Sequence, residues 1–307
     1  MARILVMGAT GLMGHALFAA WKGQAGCEIL GTYHTQPRPG LAPLDICNPS
    51  AAKAMVDEFK PRAIVLLAAI PGVDYCEQHP EETRALNVEG SLNIVRLARE
   101  TGATLIFFSS DYVFDGVEQP YAEDTTPRPL NEYGRQKATV ERAILASLTD
   151  FLIVRVTALY GWELKGKNFV AQVIRAIEAD RPMPLPTDQF YQPTYVENAA
   201  AVIQELVTRD VRGIVHVAGC DHVSRYTFGL VIAEVFGLDR ALIVPALLKD
   251  LSPVTPRPHR TGLLTDKVRT LVPTPLWGIR EGLGHMKQTA EAWSRQASAS
   301  GGPAPRR

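Results

Sequence analysis

Ile4-Leu5-Val6-Met7 running into Gly8-Ala9-Thr10-Gly11-Leu12-Met13-Gly14 is the stretch from which the fold follows. A short apolar run without polar alternation suits a strand covered on both faces. Spaced glycines follow at once, and Gly14–Lys22 then reads as a helix. Strand, glycine turn and helix open a βαβ unit. Glycines permit the tight turn and let the backbone approach a pyrophosphate, while the helix N-terminus offers N–H donors and a positive dipole end. An ordinary strand–helix turn can carry the same pattern. Its place at residue 8, directly after a strand, points to a dinucleotide, with Gly8, Thr10, Gly11, Leu12, Met13 and Gly14 as the contacting residues.

Outward from this turn, apolar runs alternate with amphipathic segments. Glu28–Tyr33, Ala63–Ala69, Thr104–Ser109 and Phe151–Arg155 are expected strands; Ser50–Phe59, Pro80–Thr101 and Asn131–Ala146 are expected helices. Alternation of this kind predicts a doubly wound parallel sheet, the Rossmann-like α/β class. Residues 1–155 form the expected dinucleotide-binding domain. The second half predicts helices at Asn168–Ala179, Val196–Arg209 and Arg225–Phe236 and a strand at Ile214–Val217. Arg181–Pro186 reads as a proline-rich connection, Ser252–His259 as a loop, and Trp277–Arg295 as one or two closing helices. Residues 156–296 are expected to be mainly a smaller, mixed α/β substrate domain. The tail Ala297–Arg307, made of small residues, Pro and Arg, reads as disordered.

Composition narrows the function. The 307 residues carry 32 basic and 32 acidic side chains and no net charge. That balance argues against nucleic acid or an acidic membrane surface as a main partner. The scattered Cys27, Cys47, Cys76 and Cys220 contain no CxxC pair, and the histidines show no HxH or HExxH spacing, so no metal site is expected. There is no apolar stretch of about 18 residues to span a membrane. The first apolar run is too short for a signal peptide, and a cytoplasmic enzyme fits.

An acidic residue about 20 positions past the glycine turn would hold the ribose 2′-OH of NAD. Gly31-Thr32-Tyr33-His34-Thr35 has none, and Glu28 lies at the wrong end of its strand. His34 and Arg38 could instead meet a 2′-phosphate, which favours NADP(H) and leaves NAD(H) open; a solvated loop is the plain alternative for both. Tyr133 and Lys137 stand four apart on one expected helix face. An ammonium near a phenol favours phenolate and lowers its pKa, as acid–base work at neutral pH requires. YxxxK is common on surface helices. It gains meaning from Ser110, at the carboxyl end of a strand where ligands of open α/β sheets bind. There a hydroxyl can hydrogen-bond a substrate carbonyl, although Ser109-Ser110-Asp111 also suits a plain turn or cap.

Ser109-Ser110-Asp111-Tyr112-Val113-Phe114-Asp115-Gly116, with Tyr133-Gly134-Arg135-Gln136-Lys137, resembles the extended short-chain dehydrogenase/reductases and, within them, the dTDP-4-dehydrorhamnose reductase group. Leu44-Asp45-Ile46, Asn87-Val88, Leu159-Tyr160-Gly161, Asn168-Phe169, Pro193-Thr194, Ser224-Arg225-Tyr226 and Arg257-Pro258 extend the likeness over nearly the whole chain except the tail. The resemblance implies that Ser110, Tyr133 and Lys137 are catalytic, Tyr133 giving the proton and Lys137 also holding the nicotinamide ribose. It implies Asp45 and Ile46 beside the adenine, Ala68, Ala69 and Asn87 along the cofactor, and Val73, Asp111, Tyr112 and Asn168, with Ser110 and Tyr133, around the substrate. It also implies that part of 196–217 returns to the first domain. The activity implied is NADPH-dependent reduction of a 4-keto group on a nucleotide-linked deoxysugar. Ala16 stands where some of these reductases have a magnesium-binding Glu, and Ala158 where some have an aromatic near the sugar. The regulatory beta subunit of methionine adenosyltransferase also resembles this group, so a non-catalytic NADP-binding subunit is one alternative. A sugar-nucleotide epimerase or dehydratase is another, and a homodimer is left open.

Overall fold

The computed structural model describes residues 2–117, 119–163, 166–251 and 255–299, with backbone alone for 296–299. Strands β1 (Ala2–Met7), β2 (Cys27–Tyr33), β3 (Leu41–Pro43), β4 (Ala63–Leu66), β5 (Thr104–Ser110) and β6 (Phe151–Val156) join strand Gly213–Val217 in one seven-stranded sheet. Its order is 213–217, β6, β5, β4, β1, β2, β3, parallel throughout. Successive side chains of a strand point to opposite faces. Accordingly Ile4, Val6, Ile106 and Phe108 pack on one face, and Leu5, Met7, Leu105 and Phe107 on the other. The chain also forms α1 (Leu12–Trp21), α2 (Pro49–Phe59), α3 (Val73–Gln78), α4 (Pro80–Arg84), α5 (Ser91–Thr101), α6 (Glu132–Ser147), α7 (Phe169–Glu178) and α8 (Val196–Thr208), of which α1, α2, α5, α6 and α8 cover the sheet. Leu17 and Trp21 of α1 and Ile203 of α8 close the first face; Val56, Ile94 and Val140, from α2, α5 and α6, close the second.

Local chemistry starts and stops these elements. Asn48 and Asn131 cap α2 and α6, accepting from Ala51 N and Gly134 N at 3.1 and 3.0 Å. Each satisfies an N–H that the first turn leaves open. Gly102 ends α5 at φ 70°, the left-handed conformation glycine adopts without strain. Outside the large sheet, Val173 and Ile177 of α7 pack with Phe228 and Ile232 of helix Arg225–Phe236 and with Leu283 of helix Ile279–Gln288.

The structure departs from the sequence-based expectation in four places. Strand β4 stops at Leu66 rather than Ala69, because the chain bends there beneath Gly8. The expected long helix Pro80–Thr101 contains a π-helical stretch at Ala85–Gly90, where Gly90 presses on Ile46. Met183–Pro186 is a strand, not a connection. It pairs in parallel with Ile243–Ala246 in a two-stranded ribbon, where the missing proline N–H groups are tolerated at an edge. Ala297–Ala299 continue helix Ala290–Ala299; the rest of the expected tail and Ser252–Val254 lie outside the described residues.

Candidate active site

In the sheet order, the chain runs from β1 outward through β2 to β3 and then returns to β4 on the other side of β1. Such a reversal opens a crevice at the strands' carboxyl ends. Gly8 sits there at φ +93°, and a Cβ on it would lie 2.7 Å from Ala68 N. A Cβ on Gly14 would lie 2.2 Å from Gly8 O, so strand end and helix touch backbone to backbone. A Cβ on Gly11 would meet, among the described residues beyond its chain neighbours, just Gly8 O at 3.6 Å, which leaves the outer side of the turn open. Gly11 is the N-cap of α1, and no side chain caps that helix. A bare turn with an uncapped helix N-terminus fits a pyrophosphate.

Around the turn, Thr10 and Leu12 are half-buried and Met13 is buried in the core beneath. His34 is exposed, while half-buried Arg38 comes near His15 of α1. Asp45 and Ile46 follow β3; Asp45 Oδ1 accepts from Cys47 N at 2.9 Å, and Ile46 is buried. Ala68 and Ala69 form the half-buried bend after β4. Asn87 acts on that bend from behind. Its Oδ1 accepts from Ile70 N at 2.8 Å, and its amide donates to Ile70 O and Gln136 Oε1 at 3.0 and 2.7 Å. The π-helical stretch thus shapes the loop after β4 through Asn87.

At the end of β5, Ser110 lies within hydrogen-bonding reach of Tyr133. Lys137 Nζ lies 5.9 Å from the Tyr133 ring centre and donates to Phe108 O at 2.8 Å. Both come from α6, as the four-residue spacing requires. A Cβ on the intervening Gly134 would lie 2.1 Å from Tyr112 O, so only glycine lets α6 approach this close. The sign of the tyrosine shift corrects the sequence reading. Burial, then Asp111 and Cys76, push the Tyr133 phenol above its ordinary value. Burial brings the Lys137 ammonium down to about 8.

Tyr112 meets Tyr133 edge-on at 6.1 Å, and Val73 is the first residue of α3. Asp111 is 3% exposed, and its oxygens are taken by Ser110 and Thr157, so it bears on the cleft through Ser110. Asn168 caps α7, accepting from Ala171 N at 3.3 Å and donating to Gly161 O at 2.9 Å. Trp162 donates to Met286 O at 2.6 Å, Trp277 stacks on Tyr195, and Trp293 meets His15 edge-on.

Sequence reasoning assigned no role to the basic groups of the neighbouring cleft. This space of about 390 Å³ is lined by Lys167, Arg225 and Arg257 together with Asp74, Ala158 and Phe169. Arg225 is held between the Phe169 and Tyr191 rings, 5.0 Å from each centre. Arg257 donates to Asp74 of α3 at 2.7 Å. Ser224-Arg225-Tyr226 and Arg257-Pro258 were visible as family-like pieces, but nothing local marks an arginine that two distant aromatic rings will hold.

Comparison with known proteins places this geometry. Residues 2–291 match the family model described as the RmlD substrate binding domain. Methionine adenosyltransferase 2 subunit beta of Xenopus tropicalis is 34% identical over 292 residues, which is 92% of this chain and 87% of that protein. A probable low-salt glycan biosynthesis reductase of Haloferax volcanii is 33% identical over 265 residues, covering 84% of this chain and 88% of its own length. Among solved structures, dTDP-4-dehydrorhamnose reductase of Bacillus anthracis in complex with NADP superposes with a TM-score of 0.84. That match has 26% identity and covers 94% of this chain and 99% of the other.

Proposed function

Because the chain belongs to the RmlD substrate binding domain family, we propose that it reduces, with NADPH, the 4-keto group of a nucleotide-linked deoxysugar. The observation that carries this reading is the convergence of Ser110, Tyr133 and Lys137 at the strand ends that also bear the open glycine turn. Gly8, Gly11, Gly14 and the α1 N-terminus would hold the pyrophosphate. Asp45 and Ile46 would border the adenine, with Arg38 and His34 toward a 2′-phosphate. The bound nicotinamide supplies the hydride, and the protein supplies position and charge stabilisation.

The Tyr133 phenol gives its proton to the ketone oxygen as that oxygen gains charge. Its upward-shifted pKa keeps the proton in place at neutral pH, which is the state a proton donor needs. Lys137, still largely charged at neutral pH, stands close enough to stabilise the phenolate left behind. In the adjoining cleft, Arg225, Arg257 and Lys167 suit an anionic diphosphate linker. Val73 and Tyr112 would border the sugar.

The test is NADPH consumption with dTDP-4-dehydrorhamnose generated in situ. Steady consumption supports a reductase of this class. Isomerised sugar without net consumption would replace that reading with an epimerase. The likeness to a methionine adenosyltransferase subunit over 92% of the chain favours a second reading, a non-catalytic NADP-binding subunit. Cofactor binding without turnover of any 4-keto sugar, plus co-elution with a methionine adenosyltransferase, would establish that one instead.

A further inference from the structure

The basic cleft holds one acid. Lys167, Arg225 and Arg257 line it, and so does Asp74 of α3. At neutral pH these are three positive charges and one negative. Arg225 is fixed by the Phe169 and Tyr191 rings, 5.0 Å from each centre. Arg257 is fixed by Asp74, whose Oδ2 accepts from its Nη2 at 2.7 Å. The pair is partly exposed, 42% for the Asp74 side chain and 22% for Arg257. An ion pair so placed contributes little to stability. Arg257 Nε is buried without a hydrogen-bond partner among the described residues, and so is the Tyr191 hydroxyl on the same cleft. Buried polar atoms need partners, and a polar ligand in the cleft would supply them.

Ligand charge decides what such a cleft selects. In a sugar-linked nucleoside diphosphate each phosphate keeps one ionised oxygen, about two charges in all. The end phosphate of a free nucleoside diphosphate ionises a second time with a pKa of about 6, so the free nucleotide carries about three charges at neutral pH. We propose that Asp74 is a specificity-determining residue: its carboxylate pairs with Arg257 and lowers the cleft to two net positive charges, so that a sugar-linked diphosphate is favoured over free nucleotides. Specificity is a difference of affinities, and a like charge set against the wrong ligand contributes to it as a contact to the right ligand does. Without Asp74, each added ligand charge would meet three bases and no acid. With it, Arg257 is already partly neutralised, and the third charge of a free nucleotide gains less. This role for Asp74 rests on the reading of the cleft as the seat of a diphosphate linker, and it needs no turnover.

The test is calorimetric titration of the full chain with dTDP-glucose, which has no ketone to reduce, and with dTDP. NADPH is kept in excess to fill the dinucleotide site. Asp74→Asn keeps the size of the side chain and an oxygen that accepts from Arg257, and its partly exposed position spares the fold. The substitution should tighten dTDP about tenfold and dTDP-glucose about fivefold, a gain per ligand charge on the scale of partly exposed ion pairs. The preference for dTDP-glucose over dTDP should therefore fall about twofold. Raising the salt from about 0.05 to 0.5 M should shrink both gains, because screening acts on charge. A merely structural Asp74 would answer to neither ligand charge nor salt. Unchanged affinities, equal gains for the two ligands, or weaker binding of both because Arg257 has lost its anchor would each overturn the proposal. Arg257→Gln tests the cleft itself and should weaken both ligands. If it moves neither, or if neither ligand binds the unsubstituted chain, the diphosphate reading of the cleft falls and the role of Asp74 falls with it. If Arg257→Gln weakens both ligands while Asp74→Asn leaves their ratio unmoved, the diphosphate reading stands and the Asp74 proposal alone is overturned.

Discussion

In the proposed reduction Tyr133 must keep its proton until the ketone oxygen becomes basic, and its surroundings favour that state: burial first, then the nearby Asp111 and Cys76. Replacing it with Phe should leave NADPH affinity within a small factor of the original. Turnover should fall by at least about 10²-fold, the lower end for positioned acid–base catalysis. Steady-state kinetics beside a binding titration separates the two effects, and unchanged turnover would remove Tyr133 from the mechanism. Tyr133 and Lys137 were legible in the sequence because four residues make one helical turn, and Ser110 because it follows an apolar strand. The sign of the Tyr133 shift was not legible. It depends first on burial, which only the folded chain creates, and then on Asp111, whose carboxylate meets Thr157, a residue distant from it in the chain. Arg225 escaped for the same reason, since Phe169 and Tyr191 meet around it only in the folded chain.

At the scale of elements, the β1 turn and α6 carry the candidate site. A buried ion pair holds α6 to the sheet: Glu141 accepts from Arg155 Nη2 of β6 at 2.7 Å, with both side chains at most 2% exposed. The turn is held by Gly8 N and Ala9 N donating to Thr32 Oγ1 and O at 3.3 and 2.9 Å and by close backbone contact, which is tightest at Gly14. In Gly14→Ala the new methyl would sit 2.2 Å from Gly8 O and force the strand end and helix apart. We expect NADPH affinity to fall about tenfold or more, ~1.4 kcal/mol, with the far-ultraviolet circular dichroism retained. Unchanged affinity by fluorescence titration would place the cofactor elsewhere. Strands β1, β2, β5 and β6 and helix Arg225–Phe236 could be read from apolar runs and caps. The ribbon of Met183–Pro186 with Ile243–Ala246 could not, because two prolines read as a loop unless the partner strand is known. The π-helical stretch was hidden because it answers to packing of Gly90 on Ile46 rather than to local propensity.

At the scale of the whole molecule, the strand Gly213–Val217 is joined to β6 by more than its ladder. His216 is fully buried, its Nδ1 meets Leu264 O at 3.1 Å, and its Nε2 meets Arg155 Nη1 at 3.4 Å. An arginine donating to Nε2 requires a neutral ring, with the proton on Nδ1. Burial, then Arg155, lowers its pKa from 6.5 to about 3. Between those values the unfolded chain binds the extra proton and the folded chain does not. Stability should therefore fall as pH drops through that window, by up to about 1.4 kcal/mol per pH unit from this group. Guanidinium midpoints measured across the window should show a shallower fall in His216→Gln, and equal slopes would refute the assignment. The central claim concerns the whole chain as a reductase, and isotope transfer tests it most directly. The chain would be given dTDP-4-dehydrorhamnose and NADPH deuterated at the transferable nicotinamide position, and the sugar isolated for mass spectrometry and NMR. The account predicts one deuterium on the former ketone carbon, formed in step with oxidised cofactor. A sugar recovered unlabelled, with the cofactor bound but still reduced, would contradict it.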